Sequence, residues 1–180
     1  MTALAPDAVH EGHGEHPAAT LLVESHPPPQ ATVAAEPRLQ PVRSPPPLLL
    51  LVEDNPGDVR LVREVLRASP VETRLIVAEN GVEALTFLQR ERRKPDLILL
   101  DLNLPALGGR LVLRRIKSDP TLLHIPVIVL TGSSAPQDVR NSYQFHANCY
   151  LVKPTDFLAF ERAVHRLIEF WTGIVHLPRP

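Results

Sequence analysis

From Leu48 onward the apolar residues come in blocks separated by polar ones. Leu48-Leu49-Leu50-Leu51-Val52 is an unbroken apolar run that stops at Glu53-Asp54-Asn55. Such a run suits a strand buried on both faces, as in a parallel sheet. Four more follow: Leu75–Ala78, Asp96–Asp101, Pro126–Thr131 and Asn148–Val152. The segments between them carry helical spacing. Pro56-Gly57-Asp58 opens a helix whose apolar face is Val59, Leu61, Val62, Val65 and Leu66. Asn80 can cap a second helix with Val82, Leu85, Phe87 and Leu88. Gly108-Gly109 precedes a third with Leu111, Val112, Leu113 and Ile116, and Ala135–Phe145 is a fourth. Thr155 or Asp156 can cap the fifth, where Phe157, Phe160, Val164, Leu167, Ile168 and Trp171 recur at spacings of three and four.

Strands alternating with helices imply right-handed crossovers and a parallel sheet covered on both faces. Five strands in about 130 residues predict a flavodoxin-like, doubly wound α/β fold of order 2-1-3-4-5, in three α/β/α layers with five helices.

Composition divides the chain. Ten of the 20 prolines, including Pro27-Pro28-Pro29 and Pro45-Pro46-Pro47, and four of the eight histidines lie in residues 1–47, which hold no aromatic residue. Proline runs favour extended, polyproline-type backbone, and this segment has too little apolar content for a core. The expected organisation is a disordered Pro-rich extension over 1–47, one domain over 48–172 and a C-terminal arm over 173–180. His10, His13 and His16 read as part of a polar tail rather than a metal site. The extension has five acids against two arginines, a balance of −3; the remainder has 17 basic residues against 15 acids, a balance of +2. Neither half has the basic bias of a nucleic-acid binder. No apolar stretch is long enough to span a membrane, and no secretory leader pattern opens the chain, so the expectation is cytoplasmic. The single cysteine, Cys149, excludes an internal disulfide and reads as a small core residue.

In an open parallel sheet, ligands bind beyond the carboxyl ends of the strands. Those ends carry Glu53-Asp54 on the first strand, Asp101 on the third, Thr131 on the fourth and Lys153 after the fifth. Three clustered carboxylates need counter-charge to stay ionised. Lys153 supplies one unit, and hard oxygen ligands without His or Cys select Mg²⁺ or Mn²⁺ for the rest. Cation, lysine and hydroxyl together suit a phosphoryl group. A carboxylate can accept that group covalently. Asp101, ending the central apolar strand, is the best placed, and the turn at Asp101-Leu102-Asn103-Leu104-Pro105 can aim the Asn103 backbone carbonyl at the metal.

These residues, in this order, resemble the receiver domain of two-component response regulators. The resemblance covers Leu48 to about Ile168. It rests on Glu53-Asp54, Asp101 with Pro105, Gly109, Thr131-Gly132 and Lys153-Pro154, with 30 residues from Asp101 to Thr131 and 22 from Thr131 to Lys153. It implies that Asp101 accepts phosphoryl from a sensor histidine kinase. Asp54 would ligate the metal directly, Glu53 mainly through water, and Asn103 through its carbonyl. Lys153 and Thr131 would hold the phosphoryl oxygens, and Tyr150 would be the aromatic switch behind them. Glu53 stands where aspartate is commoner. A narrower resemblance, to single-domain regulators of bacterial phytochrome kinases, rests on Val52–Asp58, His146-Ala147-Asn148-Cys149-Tyr150 and Phe170-Trp171.

Other functions fit less well. A haloacid-dehalogenase-type phosphatase needs a second aspartate two residues after the nucleophile, where this chain has Asn103, which cannot transfer a proton. A transcription factor would need an output domain, and none is expected here. A phosphorylation-independent interaction module would not need the full acid, threonine and lysine set. The protein is expected to catalyse its own phosphorylation and dephosphorylation rather than turn over an external substrate. Phe170, Trp171, Ile174 and Val175 extend the apolar stripe past the domain and predict a homodimer interface.

Overall fold

The structure, a computed structural model, describes residues 45–178. Residues 1–44 of the Pro-rich extension therefore lie outside the described residues. Its last prolines are anchored: the Pro47 carbonyl accepts the Arg74 N–H at 2.8 Å and the Pro46 carbonyl accepts Arg93 Nη2 at 2.6 Å.

The elements run β1 Leu48–Val52, α1 Pro56–Ala68, β2 Arg74–Ala78, α2 Gly81–Arg90, β3 Leu97–Leu100, α3 Gly109–Ser118, β4 Val127–Thr131, α4 Pro136–Gln144, β5 Cys149–Val152 and α5 Phe157–Ile168. All strand pairs are parallel, in the order β2-β1-β3-β4-β5. This is the expected doubly wound sheet, with its switch point between β1 and β3.

Alternation along each strand sends neighbouring side chains to opposite faces. Leu50, Val52, Ile98, Leu100, Val127 and Val129 pack with α2 and α3. Leu49, Leu51, Leu97, Leu99, Ile128 and Leu130 pack with α1 and α5. The central strands are buried on both faces, which is why their sequences lack polar alternation.

Side chains cap three helix starts, and two of them, Asn80 and Asp156, are caps the sequence offered. Asn55 accepts from the Gly57 N–H at 2.8 Å, and Asn80 accepts from the Glu83 N–H at 2.9 Å. For α5 the cap is Asp156, which accepts from Ala159 at 2.7 Å. These side chains satisfy amides that a helix start leaves unpaired.

Three positions that helical spacing assigns to the apolar faces of α2, α3 and α5 fall outside the core. Val82 is 54% exposed, Leu111 38% and Phe157 65%. Phe157 was expected on the core stripe. It occupies the first position of α5, at the carboxyl edge of the sheet, where little covers it. The buried stripe begins one turn later, at Phe160.

Beyond Ile168 the helix widens into a π-helical turn, Glu169–Ile174. Thr172 Oγ1 donates to the Ile168 carbonyl at 2.7 Å, and the Val175 N–H reaches the Phe170 carbonyl at 3.0 Å. The chain then returns to the domain. Leu177 is buried, and Trp171 and Val175 pack against the same cluster as α1 and α5. The C-terminal apolar residues are thus partly consumed by their own core, and Phe170 and Ile174 remain exposed.

Candidate functional site

Strand hydrogen bonding continues into the polar residues at the carboxyl edge and fixes their backbones. The Glu53 N–H bonds the Ala78 carbonyl at 3.0 Å, the Asp101 N–H bonds Val52 at 3.0 Å and the Lys153 N–H bonds Thr131 at 2.7 Å. Residues distant in sequence therefore meet because the strands are adjacent.

Lys153 Nζ is the hub. It donates to Glu53 Oε2 at 2.6 Å, to Asp101 Oδ2 at 2.7 Å and to Asp58 Oδ2 at 2.8 Å. The other Asp101 oxygen accepts the Asn103 N–H at 2.9 Å, and Glu53 Oε1 accepts the Asn55 N–H at 3.1 Å. Thr131 is fully buried, and the Asn103 side-chain amide makes a long contact to its hydroxyl, 3.4 Å.

Burial alone would raise the Asp101 carboxyl. The Asn103 N–H and the Lys153 ammonium outweigh it and hold Asp101 below the usual aspartate value. Asp101 is therefore anionic at neutral pH, as a nucleophile must be. Glu53 is more deeply enclosed, and burial pushes it above the usual glutamate value despite Lys153. Burial disfavours the Lys153 charge, but its three carboxylates more than compensate and raise it above the usual lysine value.

The structure brings together Glu53, Asp101, Thr131 and Lys153 as the sequence predicted. Asp54 is exposed at the rim, away from the lysine cluster. Asp58, read from sequence only as part of a helix start, is the third carboxylate on Lys153. Among the described residues no three acidic, His or Cys side chains close around a common point as a ready-made metal cage. The ammonium sits between the acids instead. The donors Glu53, Asp54, Asp101 and the Asn103 carbonyl are nevertheless all hard oxygens, the set that suits Mg²⁺ or Mn²⁺.

Tyr150, half-buried on β5, donates its hydroxyl to the Ser133 carbonyl at 2.8 Å. Ser133 Oγ donates to Asp138 Oδ2 at 2.6 Å, and Arg110 on α3 donates to Asp138 Oδ1 at 2.6 Å. The tyrosine is thereby tied to the loop that follows Thr131.

The loop after β3 is tightly built. Ala106 has φ 60°, a left-handed conformation that strains a residue with a Cβ. Ala106→Gly is expected to stabilise the fold by about 0.5–1 kcal/mol, the relief of strain less the extra chain entropy of glycine. Urea denaturation with unchanged slope checks this.

A parallel sheet of this order, with an acid pair, a central aspartate, a threonine and a lysine at its carboxyl edge, defines a receiver. The response regulator receiver domain family matches residues 49–165, and the chain belongs to it. It is 45% identical over 140 residues to the response regulator Rcp1 of Synechocystis sp., covering 75% of this chain and 95% of Rcp1. The Mn²⁺-bound structure of Rcp1 superposes with a TM-score of 0.72, covering 74% of this chain and 99% of that one. The phosphorylated cyanobacterial phytochrome response regulator RcpA superposes at 0.71 with 43% identity, covering 74% of this chain and 99% of that one.

Proposed function

We propose that the protein accepts a phosphoryl group on Asp101 from a sensor histidine kinase of the phytochrome type. The observation that carries this is the Asp101 carboxylate itself: ionised, at the switch point, with one oxygen on a backbone amide and the other on Lys153. An Asp101 oxygen forms a bond to phosphorus as the bond from phosphorus to the kinase histidine nitrogen breaks. Lys153 faces the charge on the transferring oxygens, and the Thr131 hydroxyl beside Asp101 is a second donor. Glu53, Asp54, Asp101 and the Asn103 carbonyl would hold Mg²⁺ or Mn²⁺, which supplies charge neutralisation for the phosphoryl oxygens.

A cleft beside the acids is lined by Pro56, Val59, Arg60, Arg63 and Glu79. Among the described residues no helix is long and apolar enough to cross a membrane, which is compatible with a cytoplasmic encounter with the kinase. Phosphorylation and its reversal would be catalysed by the site itself. Tyr150 would report the state of the site through the Ser133 loop.

Phosphotransfer profiling against the sensor kinases of the source organism tests the partner. Rapid transfer from one phytochrome kinase is expected; equal, slow transfer from all kinases would remove that assignment.

The homodimer is part of the same reading. Phe170, Trp171, Ile174 and Val175 would carry it, with exposed Phe170 and Ile174 supplying the contact and the edge-on Trp171 ring, 5.7 Å from Phe170, supporting it. Sedimentation at tens of micromolar is expected to show a dimer that Ile174→Glu disrupts. A monomeric wild type, with and without a phosphoryl mimic, would end this part of the proposal.

A further inference from the structure

An ammonium group has three hydrogens to donate. All three of Lys153's are engaged, on Glu53, Asp58 and Asp101. An incoming phosphoryl oxygen can pair with Lys153 only if one of these bonds yields. The three partners are not equally replaceable. The Glu53 side chain is 2% exposed and is held by a second bond from the Asn55 amide. The Asp101 side chain is 8% exposed and is the group being modified. The Asp58 side chain is 24% exposed and lies in the first turn of α1, where water and the helix N-terminus can solvate its released carboxylate.

We propose that Asp58 is a positioning residue for Lys153, holding the ammonium toward α1 in the resting site and giving up its hydrogen bond when a phosphoryl oxygen enters. The proposal rests on Asp101 being the phosphoacceptor. In this role Asp58 competes with the phosphoryl group for one ammonium hydrogen and so sets how readily the site accepts an anion.

The test is a double-mutant cycle on the full chain, titrating beryllofluoride as the phosphoryl mimic at saturating Mg²⁺. Asp58→Asn is expected to tighten beryllofluoride binding by about three- to fivefold, the size of a partly exposed charge pair. In a Lys153→Ala background the same substitution is expected to change nothing. A carboxylate that merely repelled the anion would give equal gains in both backgrounds.

A second readout needs no metal. The ¹⁵N–¹H cross-peak of the Lys153 ammonium, observable when its hydrogens are held, is expected in the metal-free wild type at low temperature and lost in Asp58→Ala, which leaves no acceptor at that position. An unchanged cross-peak, an absent gain in affinity, or equal gains with and without Lys153 would each overturn the proposal. Wild type that binds beryllofluoride beside an unaffected Asp58→Asn overturns this inference alone. Wild type that binds none overturns the phosphoacceptor reading as well.

Discussion

Lys153→Ala is expected to slow phosphorylation of Asp101 by about 10²–10³-fold, the effect of deleting one preorganised donor from a transition-state oxyanion. It should also strengthen divalent-cation binding. The ammonium neutralises three carboxylates at 2.6–2.8 Å. Without it, Glu53, Asp58 and Asp101 repel one another, and a divalent ion gains from the uncompensated charge. The metal-free variant should show a pH signature in its stability. The Glu53 and Asp101 carboxyls, which burial pushes up, lose the counter-charge that opposed that push, and both move upward. Their ionisation therefore destabilises the fold as pH rises through the raised value. Relative to wild type, Lys153→Ala should lose stability as pH rises from the ordinary carboxylate range toward neutrality. Acetyl phosphate labelling, calorimetric Mg²⁺ titration and denaturation across that range check the three parts. Slower labelling with weaker metal binding would mean that Lys153 builds the site in some way other than through its charge.

Gly109→Ala is expected to be the most damaging single-methyl change near the site. A Cβ there would overlap the Asp101 carbonyl oxygen and come within 2.7 Å of Leu102 Cα. Both are backbone, so no side chain can rotate away. Either the loop carrying Asp101 or the start of α3 must shift. Overpacking of this kind costs about 3 kcal/mol or more, roughly 10 °C in melting temperature for a domain of this size. Because Asp101 itself moves, phosphorylation should fall with stability. Gly108→Ala is the control. Its nearest neighbour is the Leu102 carbonyl at 3.9 Å, ordinary contact distance. Thermal melts of the two variants separate a local clash from a general intolerance of the loop.

Asp101 and Lys153 are 52 residues apart, yet their meeting was legible in the sequence. Each follows a strand, and the apolar runs determined the sheet and its carboxyl edge. Asp58 was not legible in the same way. Its place after Pro56 and Gly57 marks a helix start, and the bend of that first turn toward Lys153, 95 residues away, appears only in three dimensions. Asp54 shows the converse. The motif placed it in the site, but Lys153 bridges Glu53, Asp58 and Asp101, and Asp54 is exposed at the rim.

At the C-terminus, a strict helical period carried the stripe only to Trp171. The π-helical turn shifts the phase there and lets Leu177 fold onto the core. A residue pattern of fixed period cannot express that shift. Phe157 was misplaced for a related reason: spacing gives the face of a helix but not where the neighbouring sheet ends.

The central claim is that Asp101 becomes phosphorylated. Intact-mass measurement of the chain after incubation with acetyl phosphate and Mg²⁺, compared with Asp101→Asn, tests it most directly. Wild type should gain a single phosphoryl group, and none when the metal is left out of the reaction, while Asp101→Asn should gain none. Wild type that takes up no phosphoryl group, or Asp101→Asn labelled to the same extent, would contradict the account.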